Sequence, residues 1–336
     1  MKFIAMLASV CTVMLAACAP MAGPQGADTA AMAPTLFVAA KRGNTLSKVD
    51  LTTGKEVLRL PSCTNPHELA TSPDGQHVAL ACYGGTSVDI FRTDSLARVA
   101  SIDLGANARP HGIVWHPSGD LYATAEGRRS IFWLRNPLAE TREVFEFATA
   151  KQGSHMLAVS PDARTAWTTD LGSRTVTRID LRTRRAPLSV TVGEEPEGIA
   201  LSPDGSTLWV SARGSNQAFA LDPQSMAVRA TVATGRFPLR IAVRPQGDVA
   251  VTSDLQDGSL SVIDTATAKV IRTIAVSGPA EAQARFQVTI LWSDDGKRIY
   301  VAETASNTVA EVDYASGTVL RRLPGGEGGD GMAILP

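Results

Sequence analysis

SPDG at 72–75 is the first of a series that continues as HPSG at 116–119, SPDA at 160–163, SPDG at 202–205, RPQG at 244–247 and SDDG at 293–296. Successive motifs begin 44, 44, 42, 42 and 49 positions apart. Proline presets one backbone dihedral and glycine accepts positive φ, so each motif reads as a tight turn joining two antiparallel strands. An apolar run precedes each turn, such as GIVW at 112–115 or GIAL at 198–201, and a second follows it, such as LWVSA at 208–212 or IYVAE at 299–303. A polar turn and a third run ending in Asp come next, as in VTRID at 176–180 and LSVID at 260–264. Each period therefore holds four short strands, and units of this length repeated around an axis form a β-propeller.

The ends of the repeat array complete it. DGMAILP at 330–336 aligns with HGIVWHP at 111–117 and supplies the inner strand that the unit beginning at Thr35 lacks. The expected fold is all-β, a seven-bladed propeller of four-stranded antiparallel blades. Pairing of the N- and C-terminal strands closes its ring and removes an exposed sheet edge.

LWVSARGSNQAFALD at 208–222 and IYVAETASNTVAEVD at 299–313 resemble the YVTN-type β-propeller repeat family, a WD40-like group that includes quinoprotein amine dehydrogenase-like and lactonase-like propellers. The resemblance covers residues 35–336 and implies the fold. Members serve as dehydrogenase subunits, lactonases, surface proteins and scaffolds, so it leaves function open. Two places depart from the repeat: NPLAETREVF at 136–145 in blade 3, and the insertion GPAEAQARFQ at 278–287 after blade 6, whose turn is RPQG.

Ahead of the repeats, Met1-Lys2 and an apolar stretch from Phe3 to Ala17 read as a secretory signal, too short to be a spanning helix. LAAC at 15–18 resembles the bacterial lipobox, which implies that Cys18 is lipidated and becomes the mature N-terminus. Ala19 in the next position implies the outer membrane. The plainer reading is an ordinary cleavage site with an incidental cysteine. Residues 19–34, rich in Ala, Pro and Gly, read as a tether. The expected organisation is a signal peptide over 1–17, a lipidated cysteine and tether over 18–34, and a propeller over 35–336 facing the periplasm. The membrane is then met only through the anchor. A net charge of −1 without any basic run argues against nucleic acid as a partner.

Cys11 leaves with the signal, so Cys63 and Cys82 are the cysteines of the folded body. An exported protein permits a disulfide between them. Thiolate ligation beside His67 and a buried free thiol are the alternatives.

In a propeller, the residue that opens each inner strand faces the central channel. Counting back from the turns gives Asp330, His67, His111, His155, Glu197, Leu239 and Val288 for blades 1 to 7. Three of the chain's five histidines fall in this ring. Imidazole and carboxylate together suit zinc, copper, iron or manganese, which makes His67, His111, His155, Glu197 and Asp330 candidate ligands of a divalent transition metal. The plainer reading bonds each histidine to backbone at its own blade junction.

A second ring, from the loop after each blade's second strand, reads Lys41, Tyr83, Glu126, Asp170, Arg213, Asp254 and Glu303, with the register open by one residue. Arg213 and Arg240, together with Asp170, are candidates for gripping a small anionic ligand. Glu126 and Glu197 are candidate proton carriers. GxSxG, phosphate-loop and CxxCH motifs are missing from the sequence. The leading expectation is a funnel that binds a metal ion, a small anion or both. The alternatives are a metal-dependent hydrolase of lactonase-like type and a scaffold that contacts other proteins. The lactonase-like resemblance implies a Glu, Asn and Asp metal set, from which the histidine arc departs.

Overall fold

The computed structural model describes residues 34–336 apart from Arg184; the signal, Cys18 and residues 19–33 of the tether lie outside the described residues. Seven four-stranded antiparallel sheets make seven blades. Blade 1 is assembled from both ends of the repeat array. Its inner strand is Gly329–Leu335, hydrogen-bonded to Thr35–Ala40 with Thr35 opposite Leu335 and Val38 opposite Met332.

The recurring tetrapeptide is a turn with a specific internal bond. In blade 2 the Ser72 hydroxyl donates to Asp74 (2.5 Å) and accepts from the backbone N–H of His77 (2.9 Å), while Gly75 takes φ of 69°. In blade 3 His116 replaces the serine, and its Nδ1 pairs with Ser118 instead. The aspartate that ends the third strand of most blades is a turn device as well: Asp50 accepts from the N–H groups of Thr52 and Thr53. Apolar faces of neighbouring blades pack on one another. Trp167 of blade 4, for example, is buried with Ile199 and Leu208 of blade 5.

Each inner strand carries the same irregularity. In blade 2, Pro66 pairs with Cys82, but Leu69 pairs with Leu80, so His67 and Glu68 together oppose one residue. The same step occurs between Pro110 and Ile113, Ser154 and Leu157, Pro196 and Ile199, Pro238 and Ile241, and Gln287 and Ile290. This is a β-bulge, repeated around the ring, and it breaks the strict alternation of faces at the second and third residues of each inner strand.

The disulfide between Cys63 and Cys82 is present, with Cα atoms 5.7 Å apart. It ties the crossing from blade 1 into blade 2 to the second strand of that blade, and it overturns the free-thiol and thiolate-ligand readings. The insertion before blade 7 forms a single helical turn, Ala282–Arg285.

Candidate functional site

The bulges deliver the channel-facing ring as the repeat spacing predicts: His67, His111, His155, Glu197, Leu239, Val288 and Asp330 are each the second residue of an inner strand. The three imidazoles form one stack. Ring centroids are 4.8 Å apart between His67 and His111, and 3.8 Å between His111 and His155. Tyr83 lies alongside the stack, its ring centroid 4.4 Å from His67 and 5.4 Å from His111.

The two ends of the stack are pulled in opposite directions by their surroundings. Burial pushes His67 below its ordinary pKa, so its Nδ1–H donates to the Asn65 carbonyl (3.0 Å) and Nε2 keeps a lone pair. Burial also lowers His111, strongly, and the neighbouring His155 reinforces it; its Nδ1 is buried without a hydrogen-bond partner. Burial would lower His155 too. Its hydrogen bond to Glu126 and the charge of Glu197, 3.4 Å from Nε2, outweigh burial and hold it above the ordinary value.

Glu126 is fixed from two sides. It accepts from His155 Nδ1 and from the Tyr83 hydroxyl (2.7 Å), while Arg109 donates to that hydroxyl and lies 4.4 Å over the ring. Burial and Glu126 push Tyr83 up to about 12, so it remains a hydrogen-bond donor. Burial opposes ionisation of Glu126, but His155 and Tyr83 hold it below the usual carboxylate range. Glu197 is brought down to about 2 against its burial, by Arg240 first and then His155 and Arg213. Both carboxylates, expected as proton carriers, are therefore charged at neutral pH and better suited to holding cations.

The candidate metal set divides. One donor atom each from His111, Glu126 and His155 lies within 4.8 Å of the others. His67 stands next to this group, in the stack. Asp330 is turned to Lys41 Nζ (2.8 Å), and Glu197 to Arg213 Nη1 (2.5 Å) and Arg240. The expected role of Arg240 in anion binding is not met. It is buried, bonded to Glu197 of blade 5 and, across the channel, to Glu68 of blade 2 (2.8 Å). Arg240 and Glu68 are third residues of bulged strands, which is how both reach the axis.

Asp170 is corrected as well. It is the last residue of a second strand, paired with Ser154, and it is fully buried with hydroxyls of Ser154, Thr175 and Thr177 donating to it. Asp254 and Glu303 occupy the same register within their blades, whereas Lys41, Tyr83, Glu126 and Arg213 follow their strands by one position. A one-residue shift reverses the face of a strand residue, so three of the seven expected members point into their own blades.

Sequence reasoning missed a further ring. The residue before each inner strand has left-handed backbone in every blade: Asn65, Arg109, Gly153, Glu195, Phe237, Phe286 and Gly328, with φ from 49° to 70°. It contributes Arg109 over Tyr83 and Glu195 to Arg213 (3.1 Å). Aligning the position two residues before each ring member would have found it.

The family model for the seven-bladed β-propeller lactonases matches residues 40–273, well over half of the chain. The chain belongs to that family. Solved structures similar to this lactonase-family propeller include Kuenenia stuttgartiensis hydrazine synthase (TM-score 0.70, 18% identity, 84% of this chain and 92% of that one). A functionally unknown protein from Desulfotomaculum acetoxidans gives TM-score 0.74 at 14% identity, covering 89% and 98%. Virginiamycin B lyase from Staphylococcus aureus gives 0.66 at 16%, covering 80% and 88%. At these identities the likeness concerns the fold of the propeller alone. No curated protein matches it in sequence.

Proposed function

We propose that this lactonase-family propeller is an exported, lipid-anchored protein of the outer membrane, facing the periplasm. Its mouth binds a divalent transition metal (zinc, copper, iron or manganese) through His111, His155 and Glu126, and a small anionic ligand beside it. The observation that carries the reading is the group of three donor atoms within 4.8 Å of one another, contributed by two adjacent blades. A tetrahedral site with ligands about 2.1 Å from the metal separates them by about 3.4 Å, so modest side-chain closure completes it. The unpartnered, neutral His111 favours the reading, because a buried imidazole nitrogen without a hydrogen bond is otherwise a cost. Lys41, Arg109 and Arg213, paired with Asp330, Tyr83 and Glu197, bring positive charge to the mouth and suit an anion.

Family membership favours a second reading at the same site, hydrolysis of a cyclic ester. A bound metal would supply Lewis acidity toward the ester carbonyl. Glu126, ionised and fixed by Tyr83, would stay a ligand of that metal, and Arg213 would hold an anionic group of the substrate.

Elemental analysis of the purified protein beside a His111→Ala/His155→Ala variant tests the metal. Stoichiometric metal in the first and none in the second is the expected result. No metal in either, after zinc, copper, iron and manganese have been offered, makes the histidines structural and sinks the proposal.

A further inference from the structure

The mouth has two unlike sides. Blades 1 to 5 place Asp330, His67, His111, His155 and Glu197 at the channel-facing position, whereas blades 6 and 7 place Leu239 and Val288 there. Around these two lie Leu255, Phe237 and Phe286, and the five side chains form one apolar cluster. Leu239, Leu255 and Val288 are buried, while both phenylalanines are only half-buried.

Both phenylalanines stand where the backbone discourages them. Their φ values are 60° and 54°, in the left-handed region that disfavours residues with a side chain. Blade 2 fills the same position with Asn65, blades 4 and 1 with Gly153 and Gly328, which tolerate this conformation, and blades 3 and 5 with Arg109 and Glu195, whose side chains reach Tyr83 and Arg213. Two aromatic rings at this position are thus not explained by the turn. The apolar side also borders the charged one, because the Arg213 guanidinium lies 5.1 Å from the centre of the Phe237 ring.

We propose that the ligand of the mouth is amphipathic: a small free carboxylate whose head faces Arg213 and whose unbranched apolar arm lies along Phe237 and Phe286. This rests on the mouth being a ligand site and goes beyond it by naming the ligand class. Arg213 is shared with Glu195 and Glu197, so its charge orients the head of the ligand while the apolar arm adds the larger part of the affinity. Each methylene laid on the apolar side contributes up to about 0.8 kcal/mol, roughly fourfold in affinity when fully buried.

The test is a calorimetric titration of the whole protein with butanoate, hexanoate and octanoate, repeated on a Phe237→Asn/Phe286→Asn variant. Asparagine copies the residue that blade 2 carries at this position, so the variant retains a compatible backbone, checked by its melting temperature. Octanoate is expected to bind the unaltered protein at least about tenfold more tightly than butanoate, and the variant to lose that gain. Butanoate binding with a flat series overturns the apolar arm and leaves the ligand site standing. A gain that persists in the variant places the arm elsewhere and also overturns the proposal. Failure of all three carboxylates to bind overturns both the arm and the anion site.

Discussion

Arg240 of blade 6 and Glu68 of blade 2, 172 positions apart in sequence, meet at 2.8 Å across the channel. Both are buried, and the other Arg240 contact is the equally buried Glu197. Removing the cation leaves two carboxylates without their main counter-charge in a place where water cannot replace it. Arg240→Met is therefore expected to destabilise the fold by about 3–5 kcal/mol, read as a shift in urea midpoint. A loss below about 1 kcal/mol would show that water already reaches this pair.

Asp254 and Asp170 predict how stability follows pH. Burial pushes Asp254 up to about 7 and Asp170 up to about 6. In the unfolded chain both titrate near 3.9, so between that pH and their folded values the native state holds more protons. Their contribution is complete below about pH 4 and is lost as pH rises toward 7, by up to about 1.4 kcal/mol per pH unit for each group. Asp254→Asn should flatten the decline between pH 5 and 7, measured by urea unfolding at several pH values. Identical slopes in the two proteins would rule out this role for Asp254.

The Tyr83 hydroxyl is expected to orient Glu126 as a metal ligand. Outer partners of this kind typically alter affinity by about 10–100-fold. Tyr83→Phe should weaken metal retention within that range in a chelator competition. Unaltered retention would show that the Tyr83 bond only packs the mouth.

The Cys63–Cys82 bridge links residues 19 positions apart in sequence. Cys63→Ser/Cys82→Ser should lower stability by about 2–4 kcal/mol, seen as a lower melting temperature that reductant no longer changes. A variant as stable as the parent protein would mean that the packing around blade 2 makes the bond redundant.

The tetrapeptide turns and the aspartates ending third strands made the blades legible, since each is a local device with a local physical cause. The histidine ring was legible for the same reason, as it stands at a constant distance from those turns. The bulge was not, because its extra residue leaves no mark in composition; without it Arg240 looked like a mouth residue and Glu68 drew no attention. Asp170 misled because a polar residue at a strand end resembles a loop residue, while Leu171, the true equivalent of Glu126, is apolar. The phenylalanines stand two positions before their ring members, but an apolar residue beside a turn reads as packing until the bulge shows that its neighbours face the channel.

The seam in blade 1 also bears on how the molecule comes to be folded. Thr35–Ala40, buried along its whole length, waits for a partner strand about 300 positions away, the most distant pairing in the propeller. Closing so long a loop is slow compared with forming the hairpins of the other blades. Until it closes, the strand TLFVAA presents an apolar, unpaired edge to any other chain nearby. The protein's most vulnerable interval is therefore the one before its last strand arrives, when a neighbour's edge can take the place meant for its own.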